Sequence, residues 1–136
     1  MNDDTTIRAA TDADIEGIEA LLAPFVTERQ LLDRTDKQLL HLAENGFVAV
    51  CGERIIGFAA IEVYSRKLAE IQALGVSAEF QGQGVGQALV EHCVERAREL
   101  KVVELMAITA SESVFRSCGF DFALPDQKRA VFLKFE

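Results

Sequence analysis

Apolar residues recur along this chain with two different periods, and the switches between them mark out its elements. Residues 6–9 form a short stretch suited to opening a sheet. Over residues 13–25, Ile15, Ile18, Leu22 and Phe25 follow the 3.6-residue period of an amphipathic helix. Thr11 stands where an N-cap is needed, and Asp12 and Asp14 occupy the first turn, where the helix dipole favours negative charge. Residues 26–34 keep neither period and read as an irregular connection. Thr35 and Gln38, three positions apart, make a capping-box pattern for a second helix to about residue 43, which Asn45-Gly46 ends.

Strand signals follow. Residues 47–51 are apolar, Gly52-Glu53 is a two-residue turn, and residues 54–63 return, so the pattern predicts a hairpin. Gly57 inside the return strand is a candidate bulge. Residues 64–67 turn the chain, and residues 68–76 are the next strand, where strict alternation puts Glu70, Gln72, Leu74 and Val76 on one face. A helix is expected over about 84–100, burying Leu89, Cys93, Ala97 and Leu100 and leaving Glu91, Glu95, Arg96, Arg98 and Glu99 in water. Residues 102–109 read as a strand that follows a helix, hence parallel to its neighbour. Residues 111–118 read as a short helix with Gly119 as its C′ glycine, and residues 129–135 as a final strand. The sum is a single α/β domain over 1–136, with a mixed sheet flanked by helices. Its element order is not the strict βαβ alternation of a doubly wound nucleotide fold.

Composition narrows the classes. The 136 residues, 49% apolar and 26% charged, suit one globular core. No apolar run reaches the roughly 20 residues of a membrane helix, and the acidic start, Met1-Asn2-Asp3-Asp4, lacks the features of a secretory signal. A cytoplasmic location is therefore expected, with no membrane partner. A net charge of −8 argues against a nucleic-acid surface and suits an amine substrate. It leaves room for a small anionic cofactor held by backbone amides. Cys51, Cys93 and Cys118 are far apart, and with only His41 and His92 beside them they show no metal-ligand spacing. Free thiols, and no metal, are the expectation.

The candidate chemistry centres on Gln81-Gly82-Gln83-Gly84-Val85-Gly86, between a strand and a helix. Glycine lets the backbone take positive φ and come close to a ligand, and the first amides of the following helix point at an anion. Two phosphate motifs fail. A P-loop starting at Gly82 would require Gly and Lys where Gln87 and Ala88 stand, and a dinucleotide fingerprint would require glycine at Gln87. The pattern that fits is Q-x-x-G-x-G, from Gln81, Gly84 and Gly86.

With that motif the chain resembles the GNAT family of N-acetyltransferases. Leu74-Gly75-Val76 precedes the loop at the family's distance, and Val114-Phe115-Arg116-Ser117-Cys118-Gly119-Phe120 is similar to the family's late helix ending in Gly-Phe. The resemblance covers nearly the whole chain. It implies a mostly antiparallel mixed sheet and acetyl-CoA as acyl donor, held by Leu74, Gly75, Val76, Gln81, Gly82, Gln83, Gly84, Val85, Gly86 and Gln87. A narrower resemblance, to the acetyltransferase domain of N-acetylglutamate synthases, rests on Gln30-Leu31-Leu32-Asp33-Arg34-Thr35, Gln38-Leu39, Leu68-Ala69-Glu70-Ile71 and Leu124-Pro125. It points to an amino acid such as glutamate as acceptor.

Acetyl transfer to an amine needs a neutral amine, hydrogen-bond donors for the oxyanion and a leaving thiolate. Glu70 is the candidate base, on the strand that leads to the glycine turn and similar to the strand glutamate of some family members. The alternative for it is a surface glutamate paired with Lys67. The resemblance implies oxyanion donors among the amides of residues 74–76. The tyrosine that many relatives use as acid is replaced by Phe115, which cannot donate a proton; Ser111, Ser113 or water remain. Tyr64 is the sole tyrosine, and nothing in the sequence ties it to the thiolate. Arg34 offers a planar fork for a substrate carboxylate, with Arg29 second; pairing of Arg34 with Asp33 or Asp36 is the alternative. His41 and His92 read as packing residues. The competing functions are acetylation of a polyamine, antibiotic or protein amine, and acyl-CoA binding without turnover. A homodimer is left open.

Overall fold

The computed structural model describes residues 1–109, 112–121 and 131–135. Among the described residues five strands form one sheet, in the order in which they occur along the chain. β1 (Thr5–Ala9), β2 (Gly46–Cys51), β3 (Arg54–Val63) and β4 (Leu68–Val76) each run antiparallel to the next, and β5 (Glu104–Met106) lies parallel to β4. α1 (Ile15–Thr27) and α2 (Asp36–Ala43) connect β1 to β2; α3 (Val85–Glu99) connects β4 to β5, and α4 (Glu112–Ser117) follows. The sheet is thus mixed and mostly antiparallel, as expected.

The predicted caps are present. Gln38 N–H donates to Thr35 Oγ1 at 3.2 Å, and Thr35 N–H donates to Gln38 Oε1 at 2.8 Å. At Thr11 the chain first makes a 3-10 turn, Asp12–Asp14, before α1 begins. The Asp14 carboxylate accepts from Thr11 N–H at 2.8 Å and from both terminal nitrogens of Arg8, at 2.8 and 2.9 Å. The Arg8 hydrogen bonds hold Asp14 well below its ordinary value of 3.8, at about 2.

Each face of the sheet carries its own core. On one, Ile15, Ile18, Leu22, Leu39 and Leu42 from α1 and α2 meet Val48, Phe58 and Ala60. On the other, Val85, Leu89, Cys93 and Ala97 from α3 meet Ile56, Ile61 and Ile71. Leu100, expected in this core, is only half-buried because it lies past the helix end. The bulge expected at Gly57 is there. Ala49 faces Gly57 while Val50 faces Ile55, so Ile56 is the extra residue. A Cβ at Gly57 would lie 2.9 Å from Leu89 Cδ1, so the glycine lets α3 sit close against the sheet.

A second bulge, which the sequence did not announce, sits on β4. Phe58 faces Gly75 and Ala60 faces Gln72, and Ala73 takes a left-handed φ of 59°. It overturns the expected alternation. Glu70 and Gln72 share the α1/α2 face, and Ala73 packs there too, whereas Leu74 and Val76 pack on the α3 side. The kink also turns the edge of β4 away, so pairing with β5 stops at Glu70 opposite Met106. β5 is accordingly shorter than the predicted 102–109.

The final strand is a further correction. Among the described residues 131–135 no strand forms; Val131, Phe132, Leu133 and Phe135 are exposed, and alternating apolar residues without a paired edge do not make a strand. Residues 129 and 130, Ser111 at the predicted start of α4, and Leu124-Pro125 lie outside the described residues. α4 does end as predicted, with Gly119 at φ 94° and Gly119 N–H donating to Arg116 O at 3.1 Å.

Candidate active site

The glycine turn is a row of free backbone donors. Gly82 and Gly84 take left-handed φ values of 78° and 86°, and a Cβ at either would meet nothing within 4 Å. Packing therefore does not require glycine there; the left-handed backbone does. Gly84 is the N-cap of α3 and makes no side-chain cap. The first backbone bond of the helix is Ala88 N–H to Gly84 O at 3.0 Å. The N–H groups of residues 82–87 thus have no acceptor among the described residues, and the α3 dipole adds positive potential at this point. The set fits a phosphate-bearing group without a basic side chain.

The surroundings hold the turn in shape. Gln81 Nε2 donates back to Val76 O at 2.9 Å, which ties the turn to the end of β4. Arg54 donates to both carboxylate oxygens of Glu79 at 3.1 and 3.3 Å and to Ser77 Oγ at 3.3 Å, which clamps the segment leading in. Beyond Glu70 the β5 side of β4 has no partner strand among the described residues, so the stretch from Ile71 to Val76 leaves an open edge that leads to the glycine turn. Gly75 faces α1: a Cβ there would lie 3.1 Å from Leu22 Cδ2.

On the α1/α2 face of the same strand lies a polar cluster. Tyr64 O–H donates to Glu70 Oε1 at 2.5 Å, Gln72 Nε2 donates to the same oxygen at 3.1 Å and to Tyr64 Oη at 3.0 Å, and Arg34 NH2 reaches Gln72 Oε1 at 3.4 Å. The Glu70 hydrogen bond pushes the Tyr64 hydroxyl up to about 12, so it stays a donor throughout the neutral range. Arg34 also donates to Leu32 O at 3.1 Å. Desolvation by burial draws it below its ordinary value, while the Glu70 charge acts the other way. Neither Asp33 nor Asp36 pairs with it; among the described residues Arg34 is a half-buried cation with no carboxylate in hydrogen-bond contact. It lines a pocket of about 290 Å³ between α1 and α2.

Arg34, Glu70 and Gln72 therefore come together, and Arg29 does not join them. It is exposed, in a left-handed turn after α1 at φ 61°. Phe115 is 6% exposed and stacks edge-on against Phe120 at 5.4 Å, a core residue of the α3 side. Ser113 is exposed on α4. His92 packs against Phe47, as expected, but His41 bonds Glu62 at 2.8 Å, and Glu62 stands directly opposite Glu70 across the hairpin. Sequence reading missed this pairing and the Tyr64 bond. The Tyr64 bond follows from the register that the turn at residues 64–67 sets, and the His41 pairing from the packing of α2 on the sheet, neither of which shows in local periodicity. A wider cleft of about 1020 Å³ runs along α1 past Ser77 and Gln81 and touches neither Arg34 nor Glu70.

Comparison with known proteins places most of the chain in one family. The profile of the acetyltransferase (GNAT) family matches residues 14–120. An uncharacterized N-acetyltransferase of Chlorobaculum tepidum is 32% identical over 86% of this chain and 76% of its own length. The amino-acid acetyltransferase of Pasteurella multocida is 30% identical over 95% of this chain, which spans 31% of that protein's length. Among solved structures, N-acetylglutamate synthase from Neisseria gonorrhoeae, complexed with coenzyme A and N-acetyl-glutamate, superposes with a TM-score of 0.81 at 27% identity, over 94% of this chain and 31% of that one.

Proposed function

From the premise that the chain belongs to the acetyltransferase (GNAT) family, we propose that it moves an acetyl group from acetyl-CoA to the α-amine of a carboxylate-bearing amino acid, glutamate first among the candidates. Acetyl-CoA supplies the acyl group already activated as a thioester. The free amides of residues 82–87 hold its pyrophosphate, with Leu74 and Val76 along the approach. Arg34 holds the acceptor's carboxylate, and its guanidinium fork suits two oxygens at once. Glu70 takes the ammonium proton, directly or through a water, which leaves a nucleophilic amine. Amides on the open edge of β4 donate to the oxygen on which charge develops. No side chain is assigned as acid, since a CoA thiolate leaves without one.

The observation that carries this reading is the meeting of Arg34 and Glu70 through Gln72, on the one strand whose far edge opens toward the glycine turn. It supports an acceptor with a carboxylate at one end and an amine at the other. A polyamine remains the second reading, because Glu19 and Asp33 line the pocket beside Arg34 and the net charge is −8. An acceptor panel of amino acids, polyamines and peptides, followed by release of free CoA, separates the two. Turnover on glutamate or a close analogue is expected; turnover on polyamines alone would reject the amino-acid reading.

A further inference from the structure

The Glu70 carboxylate is held by one oxygen only. Oε1 accepts from the Tyr64 hydroxyl at 2.5 Å and from Gln72 Nε2 at 3.1 Å, whereas Oε2 has no hydrogen-bond partner among the described residues. Tyr64 is itself fixed, since its oxygen accepts from Gln72 Nε2 at 3.0 Å. Three side chains thus close a small ring that leaves a single lone-pair-bearing oxygen outside it. Tyr64 is 55% exposed and packs little, so its hydroxyl contact, not burial of its ring, is what distinguishes it at this place.

We propose that Tyr64 is a positioning residue for the base: with Gln72 it fixes Oε1 of Glu70 and turns Oε2 toward the amine. This rests on Glu70 acting as the base. In the transfer Oε2 first takes one proton from the acceptor's ammonium and passes it to solvent. The lone pair of the neutral amine then forms the C–N bond, the C–S bond breaks with its electrons leaving on the thiolate, and the second N–H proton lost by the nitrogen goes to the thiolate or, through Oε2, to solvent. Tyr64 neither gains nor loses a proton overall. The other charged or titratable groups facing Glu70 are few. Glu62 of β3 stands opposite it, bonded to His41 of α2; Arg34 approaches from the segment before α2; and β5 brings Met106 opposite it, with Glu104 opposite Leu68.

Tyr64→Phe removes the hydroxyl and keeps the ring. With acetyl-CoA and L-glutamate, kcat should fall about tenfold with the KM for acetyl-CoA unchanged. Glu70→Gln should cripple turnover. A second readout needs no turnover. The chain has one Tyr and no Trp, so its phenolate absorbance reports Tyr64 alone. Ionisation should begin at lower pH in Glu70→Gln than in the wild-type protein. Wild-type kcat in Tyr64→Phe, beside a crippled Glu70→Gln, would overturn the positioning role and spare the base. Wild-type turnover in Glu70→Gln would overturn both. Identical phenol titrations in the two proteins would show that the bond is absent and would overturn the positioning role by themselves.

Discussion

Asp14 shows how one side chain ties local structure to pH. Its carboxylate is 9% exposed and takes four donors from Arg8 and Thr11. Its value falls from 3.8 to about 2 on folding, so its contribution is present above pH 4 and fades as pH drops through the range between the two. Asp14→Asn should cost about 2 kcal/mol of unfolding free energy at neutral pH, with the gap to wild type closing toward pH 2 in urea titrations; a gap that does not change with pH would rule out the ionised pair as its source. At the other site, Glu70→Gln keeps the shape and the hydrogen bond capacity but cannot take a proton. It should lower kcat about 100-fold with little change in stability. Activity near wild type in a CoA-release assay would remove Glu70 from the base role. These residues were legible to different degrees. Asp14 and Glu70 stood out by type and position. The partners of Glu70 did not, because a hydrogen bond across a hairpin is set by register, which local pattern reading leaves out.

At the scale of elements, glycines act for opposite reasons at two places. At Gly57 the requirement is room. An alanine Cβ would lie 2.9 Å from Leu89 Cδ1 and 3.2 Å from Ala49 Cβ, between the sheet and α3, so Gly57→Ala should destabilise by about 1–3 kcal/mol in a denaturant titration. At Gly84 there is room, and the requirement is conformation. The φ of 86° strains any L residue, so Gly84→Ala should cost about 1 kcal/mol in stability. It should also raise the KM for acetyl-CoA several-fold by reshaping the donor row, with the acceptor KM unchanged. If Gly84→Ala left acetyl-CoA kinetics intact, the turn would not be the phosphate site. The strands β3 and β4 matched their predicted bounds because alternation and turn residues bracket them clearly. The kink at Ala73 was hidden, since alanine is not a residue type that signals left-handed backbone, and it alone decides which side Leu74 and Val76 face.

Across the whole molecule, topology follows from a few of these local events. Hairpins place β1 to β4 side by side, α3 carries the chain across to a parallel β5, and the Ala73 kink separates β4 from β5 beyond Glu70. Element order together with the Q-x-x-G-x-G spacing was enough to place the chain in its family, because both are properties of sequence order. The acceptor side was less legible. Arg34 lies 38 positions from Gln72, and only the folded sheet brings it beside Glu70. On the proposed function, the same geometry separates two binding events: phosphate amides at the start of α3, and a carboxylate receptor before α2. The most direct test is therefore the split of Michaelis constants in Arg34→Ala, measured by CoA release with acetyl-CoA and L-glutamate each varied in turn. The KM for glutamate should rise at least about tenfold, as expected when a bidentate charged contact is lost, while the KM for acetyl-CoA stays at its wild-type value. An unchanged glutamate KM, or a rise confined to acetyl-CoA, would contradict the assignment of Arg34 and with it the amino-acid acceptor.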